Sequence, residues 1–237
     1  MVKKLGSRSA IVFFSLFFIS TLFSQSESDY AILSKMKAFA SSVLIEAGKN
    51  KNMYLPEKAV DGKIDTFWCE GKEDDGVGET LELKFNPSLV DGIRIGNGVL
   101  LNQKYHSLNN RIKNYEITYL LLNGKSKVVS GVFSDTSCSD SCREQNLDGK
   151  ALQECQLENK NKCLFERIGE DTFAGGNSIE FNGEFQCLIG IQLKIRSVYP
   201  GKKFKDTCVS EIRFKTPLSF ESEGKNKELQ MLKQSCK

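Results

Sequence analysis

The stretch AVDGKIDTFWCEG, residues 59–71, gathers Asp61, Asp65 and Glu70 around Trp68, the one tryptophan of the chain, and Cys69. Far downstream, KDTCVSEIRF adds Asp206, Ser210 and Glu211. Paired carboxylates are the working groups of glycoside hydrolysis, so Glu70 with Asp206 or Glu211 is the one catalytic pair on offer. Nucleophilic catalysis of the Ser-His-Asp kind has to rest on His106, the single histidine, which falls in a polar loop and reads as solvated. Neither a P-loop nor a Rossmann fingerprint occurs. Short acidic side chains in loops more commonly bond backbone N–H groups across their own turn, and a buried tryptophan N–H needs a partner. The expectation is a structural polar network of Asp61, Asp65, Trp68, Glu70, Asp206, Ser210 and Glu211, without a catalytic residue and without enzyme activity. Partly buried carboxylates seek cations, and Arg111 or Lys113 are the expected partners of Glu70 and Glu211.

These residues must be held by strands. Alternation of apolar and polar residues is the strand signal. TLELKF sets Leu81, Leu83 and Phe85 on one face, and GIRIGN does so with Ile93 and Ile95. YEITYLL aligns Tyr115, Ile117, Tyr119 and Leu121, and IGIQLKIRSV aligns Ile189, Ile191, Leu193 and Ile195. CVSEIRF aligns Cys208, Ser210, Ile212 and Phe214. Gly, Asn, Asp and Pro bound the runs, which predicts an all-β antiparallel sandwich or barrel. SDYAILSKMKAF reads as a short helix leading into the first strand, with the helical lead-in at 27–36 and the sandwich at 37–216.

The N-terminus carries Lys3, Lys4 and Arg8, then an apolar run from Ile11 to Phe23, then small polar residues. That order is a secretory signal peptide, expected over 1–26 and fitting bacterial Sec export. The run is short for a membrane span, so no transmembrane segment is expected after cleavage and the protein is expected to be secreted or otherwise extracytoplasmic. The whole chain has 33 Lys+Arg and 30 Asp+Glu. The leader holds three of the basic residues and no acidic one, so the remainder has no formal net charge, which argues against nucleic acid as a partner.

Eight cysteines, Cys69, Cys138, Cys142, Cys155, Cys163, Cys187, Cys208 and Cys236, read as disulfides in an exported chain. Zinc is disfavoured because no Cys-x2-Cys and no Cys/His pair occurs. Four of the eight lie in a polar segment, 134–169, which is expected to be a disulfide-rich loop insert with local pairing. Cys236, in the charged tail at 217–237, is expected to tether to Cys187 or Cys208.

One resemblance spans roughly residues 37–215. Ser41-Ser42 followed by Ala59, Asp61, Gly62, Thr66 and Trp68 resembles the opening of discoidin-type, galactose-binding-like jelly rolls. Downstream, Trp68-Cys69-Glu70-Gly71, Asn97-Gly98, Tyr105 with Asn109-Asn110-Arg111-Ile112-Lys113, Val198-Tyr199-Pro200-Gly201, Asp206-Thr207 and Ser210-Glu211-Ile212 resemble one branch. It is the domain first named from the streptococcal NAD glycohydrolase, its translocation and glycan-binding module. Two features depart from that branch: VLLNQ after the Asn-Gly turn, and the cysteine-rich insert. No NAD glycohydrolase domain accompanies the module, so that activity does not carry over.

The resemblance implies a discoidin-like jelly-roll β-sandwich acting as a non-catalytic carbohydrate-binding module. The ligand is then a glycan or glycoconjugate, met by Asn97, Lys104, Tyr105, Asn110, Arg111, Tyr199 and Lys202 on loops at one end. It also raises a structural calcium ion, for which Asp61, Asp65 and nearby carbonyls are suitable hard-oxygen ligands; the alternative is a turn closed by hydrogen bonds alone. A second functional reading is an adhesin-like domain that contacts a host or cell-surface protein or a membrane, through Val99, Leu100 and Leu101 as an apolar spike or through the insert.

Overall fold

The structure, a computed structural model, describes residues 30–135, 149–150, 177–181, 184–216, 231 and 234–236. Cys138, Cys142, Cys155 and Cys163, the signal peptide and most of the insert and tail lie outside the described residues.

In chain order the strands are β1 (Tyr30–Ala31), β2 (Lys37–Ala40), β3 (Trp68–Cys69), β4 (Thr80–Val90) and β5 (Gly92–Asn97), then β6 (Arg111–Ile112), β7 (Asn114–Leu121) and β8 (Ser126–Val132). They continue with β9 (Asn177–Glu180), β10 (Gln186–Ile195), β11 (Val198–Tyr199) and β12 (Cys208–Lys215). A short helix, α1 (Gln103–Leu108), and a 3-10 turn at Pro56–Val60 also occur among the described residues. One antiparallel sheet runs β1-β12-β5-β9, with β3 also on β12; the other runs β2-β4-β10-β7-β8. β6 and β11 pair alone.

The alternation explains the layers. Leu81, Leu83 and Phe85 of β4 are buried, as are Ile93 and Ile95 of β5, Ile117 and Tyr119 of β7, and Ile212 and Phe214 of β12. Together with Trp68 they fill the space between the sheets. β10 differs from the simple pattern. Its register shifts between Leu188 and Gly190, so Leu188 enters the core and Ile189 is only half-buried. Gly190 lies against β4, where a Cβ would stand 2.5 Å from the Leu83 carbonyl oxygen.

The expected N-terminal helix is not formed over the described part of 27–36. Tyr30 and Ala31 instead pair with Lys215 and Phe214 of β12, so both already belong to the sandwich. The Tyr30 hydroxyl bonds Glu180, and the Arg94 guanidinium lies 4.0 Å from the ring centroid. Lys35 has φ of 57°, which ends any right-handed helix there. An isolated helix of this length is marginal, and a buried tyrosine with strand pairing outweighs it.

Two disulfides are described. Cys69–Cys208 joins β3 to β12, and Cys187–Cys236 ties the tail to β10. The second resolves the expected tether in favour of Cys187.

Candidate functional site

Three polar residues expected to meet a ligand are instead consumed inside the fold. The Asn97 amide donates to the Ile112 carbonyl at 2.7 Å and accepts the Ile112 N–H at 2.8 Å, which fixes β5 to β6. Asn110 donates to the Lys205 carbonyl and accepts the Gly201 N–H at 2.7 Å. Arg111 makes a bidentate pair with Asp135, both bonds 2.9 Å, and donates to the carbonyls of His106 and Asn109. All three are buried. Arg111 also explains the Asn-Gly turn. Gly98 has φ of +88°, and a Cβ there would stand 2.7 Å from Arg111 Cγ.

His106, expected to be solvated, is 2% exposed, because α1 folds it under the Asn97 carbonyl, 3.3 Å from Nε2. Burial, and then the neighbouring Arg111 charge, pull its pKa down to about 4. The unfolded chain takes up this proton near the ordinary histidine value, so stability is full above about pH 6.5 and is lost as pH falls towards 4. Between about pH 7 and pH 4.5 the wild-type protein should lose about 2 kcal/mol that a His106→Gln variant does not lose. Urea unfolding of both at the two pH values checks this; an equal pH dependence would show that His106 protonates freely.

The exposed part of this loop end is smaller. The Asn102 side chain caps α1 by accepting the Tyr105 N–H at 3.0 Å. The helix then holds Lys104 and Tyr105 towards solvent, Tyr105 at 42% exposure. Lys202 and Lys203 run beside the end of α1, their N–H groups donating to the Ser107 and Leu108 carbonyls. Val99 and Leu100 are buried and only Leu101 is exposed, so the expected apolar spike reduces to one residue. Tyr199 is half-buried and donates its hydroxyl to the Phe133 carbonyl.

Two residues of this end were not singled out from the sequence. The Tyr54 hydroxyl donates to Glu46 at 3.1 Å, and its ring lies 5.6 Å from that of Phe67. Burial, the Glu46 bond and the charges of Glu46 and Asp206 push the Tyr54 phenol up to about 12. Burial raises the Asp206 carboxyl as well, with Glu46 adding to it. The tip therefore combines an exposed aromatic ring, two half-buried carboxylates and exposed ammonium groups. The Cys69–Cys208 disulfide, packed with Tyr54 and Val99, braces it from below.

Trp68, Ser210 and Glu70 are held by backbone partners. Trp68 donates to the Ser42 carbonyl at 3.1 Å. Ser210 accepts the Leu100 N–H and donates to the Gly98 carbonyl. Glu70 is fully buried and accepts the N–H groups of Lys72 and Thr207 at 2.8 and 3.0 Å. Its partners are backbone donors, not Arg111 or Lys113, because Arg111 is already committed to Asp135. Burial raises its pKa. Glu211 is also fully buried, so neither acid presents an oxygen to a substrate.

Glu211 stands apart, since neither of its oxygens has a hydrogen-bond partner among the described residues. Burial foremost pushes its carboxyl up to about 8; Arg213 pulls it down and Asp61 pushes it further up. The backbone N–H groups of Ile212 and Gly62 lower it. In the turn after Asp61, the Thr66 hydroxyl oxygen lies 2.7 Å from Asp61 Oδ1, 3.2 Å from the Lys63 carbonyl and 3.5 Å from the Lys58 carbonyl. One hydroxyl proton serves at most one of these acceptors. Asp65 is exposed and makes no hydrogen bond among the described residues, so it belongs neither to this cluster nor to the polar network. No group of three His, Cys, Asp or Glu side chains suited to a metal occurs among the described residues; the oxygens here come from two carboxylates, a hydroxyl and the backbone.

Comparison with known proteins is consistent with this architecture. The family described as NAD glycohydrolase translocation F5/8 type C domain matches residues 29–215. No curated protein matches the sequence. Similar solved structures include a family 32 CBM from C. perfringens NanJ in complex with galactose, at 16% identity and TM-score 0.48, covering 78% of this chain and 96% of that one. Another is CBM32-3 from a family 31 glycoside hydrolase of Clostridium perfringens, at 17% identity and TM-score 0.48, covering 79% and 95%. A Streptococcus pneumoniae fucose binding module matches at 10% identity and TM-score 0.41, covering 78% and 96%. No helix among the described residues is long and apolar enough to cross a membrane.

Proposed function

Because the chain belongs to the NAD glycohydrolase translocation F5/8 type C domain family, we propose that it is an exported, non-catalytic module that binds a glycan or glycoconjugate at the α1 end of the sandwich. The observation that carries this reading is the exposed Tyr105 ring on α1, whose end is bound by the N–H groups of Lys202, Lys203 and Phe204 just before Asp206. Sugar recognition needs an aromatic face for the C–H side of a pyranose and a few fixed polar groups for its hydroxyls. Tyr105 stacks on the ring, Asp206 and Glu46 accept from hydroxyls, and Lys104 and Lys202 donate. Asn97, Asn110 and Arg111 position these loops without touching the ligand. Disulfides within the sandwich support an oxidising, extracytoplasmic location.

The oxygens around Thr66, with the unpartnered Glu211, fit a calcium ion. Asp61, Thr66, Glu211 and the Lys58 and Lys63 carbonyls are the residues that would hold it. The ion would supply structural neutralisation: it gives Glu211 the partner it lacks and locks the turn to β12.

A glycan array probed with the oxidised protein and with Tyr105→Ala tests the binding proposal. Saturable binding to a defined sugar set, lost in a variant that melts as the wild type does, is the expected result. No binding at tens of micromolar protein would overturn it. In that case dependence of cell-surface or vesicle binding on Leu101 would favour the adhesin-like alternative.

A further inference from the structure

β8 is the last strand of its sheet and, among the described residues, pairs with β7 alone, in unbroken antiparallel register. Two bonds fix which of its backbone groups that pairing uses. The Leu121 N–H donates to the Lys125 carbonyl at 2.9 Å, and the Phe133 N–H to the Lys113 carbonyl at 2.8 Å. Bonded pairs recur at every second residue of an antiparallel ladder. Lys127, Val129 and Gly131 therefore spend their N–H and C=O groups on β7. Ser126, Val128, Ser130 and Val132 turn theirs out from the edge of the sheet. Ser134, next in that series, gives its N–H to the Asn177 side chain at 3.0 Å. The outward groups of the four before it meet no partner among the described residues. The side chains of these alternate residues stand on the outer face, where Val128 is 56% and Val132 64% exposed, while Val129 is half-buried. Sheet edges are ordinarily blunted by a proline, a bulge or a well-placed charge. β8, SKVVSGV, has no proline and no break in register, and its one charge, Lys127, lies near one end.

We propose that β8 joins two copies of this chain, strand against strand and antiparallel, about a two-fold axis at Ser130. An axis there bonds Ser130 to Ser130 of the second copy and sets Val128 against Val132 on either side. Each exposed valine then meets a valine, the kind of cross-strand pair that stabilises a sheet. The residues that offer these side chains are the same ones whose backbone groups point outward. Moving the axis by one residue, to Val129 or Gly131, sets each valine against a serine instead. Each Lys127 comes opposite Phe133 of the second copy, beyond the end of its strand, so like charges stay apart. The contact is self-complementary, as a two-fold interface must be, and it merges the two five-stranded sheets into one. It does not depend on the ligand proposed at Tyr105.

Sedimentation velocity of the oxidised protein, from low micromolar to hundreds of micromolar, tests this. The wild type and Tyr105→Ala should both pass from monomer to dimer. Val128→Lys with Val132→Lys sets lysine against lysine and should leave only monomer. Val128→Lys with Val132→Glu sets lysine against glutamate and should restore the dimer. Both double variants should melt as the dilute wild type does, because the substituted side chains are exposed. Amide exchange at Val128, Ser130 and Val132 should slow as the dimer fills. A wild type that stays monomeric, a dimer that survives the paired lysines, or a lysine–glutamate variant that stays monomeric would each overturn the proposal. So would slow exchange at these amides already in the monomer, which would assign the edge to the chain's own insert.

Discussion

Saturating calcium should raise the melting temperature of the oxidised protein by about 5–10 °C, and Glu211→Gln should lose that rise. Ligand at a hundredfold excess over its dissociation constant stabilises a fold by about 2.7 kcal/mol, and each kcal/mol moves the midpoint of a domain this size by about 2–4 °C. The effect is large because the ion does two things at once. It answers a fully buried carboxylate that has no partner, an omission that costs about 1–3 kcal/mol. It would also draw on oxygens of Lys58, Lys63, Thr66 and Asp61, the last of which already accepts the Lys63 N–H and pairs with the Lys58 ammonium. With chelator present, Glu211→Gln should melt no lower than wild type, since the amide is neutral and nearly the same shape. Magnesium should do less, because it demands a tighter octahedral shell and gives up its waters reluctantly. Calorimetric melting with calcium, magnesium and chelator checks all three statements. A wild-type midpoint indifferent to calcium would mean that hydrogen bonds alone close the Thr66 turn.

Arg111→Ala should destabilise the protein by about 3–5 kcal/mol, the scale for removing one partner of a buried ion pair. The side chains of Arg111 and Asp135 are 7% and 9% exposed, so the carboxylate left behind has little water to turn to. The loss extends beyond the pair, because the same guanidinium holds the His106 and Asn109 carbonyls at the end of α1. Arg111→Lys should recover little of it, since an ammonium cannot span a bidentate carboxylate and two carbonyls. Denaturant unfolding of both variants, with Asp135→Asn in combination, measures the coupling. A loss below about 1 kcal/mol, the scale of an exposed pair, would contradict the burial of this arginine and return it to the list of ligand contacts.

The strands were legible because their cause is local. Leu81, Leu83 and Phe85 alternate in the sequence and sit side by side in the core. Trp68 as a plug whose N–H finds a carbonyl follows from its size and its one donor. The roles of Asn97, Asn110 and Arg111 were not legible, although the residues themselves stood out. Polar side chains in loops suggest a ligand until the covering backbone is known, and here it comes from far away. Asn110 is closed over by Gly201 and Lys205, the latter 95 residues on. The same distance effect separates the residues proposed to hold calcium. Asp61 and Thr66 lie in one short stretch, while Glu211 arrives on β12 opposite Gly96 of β5 only by register. The lead-in helix failed for the converse reason: a helical pattern near Tyr30 yielded to pairing with β12, the last strand of the sandwich.

The α1 end is proposed to divide its labour, with Tyr105 and Asp206 meeting the ligand while Arg111, Asn97 and Asn110 hold the loops. Calorimetric titration of the sugar retained on the array, into wild type, Tyr105→Ala and Asp206→Asn, tests it most directly. Each variant should bind at least about tenfold more weakly, the worth of one lost stacking or charged hydrogen-bond contact, with its melting temperature within a few degrees of wild type. Unchanged affinity in both variants would contradict the account and move the ligand off this end of the sandwich.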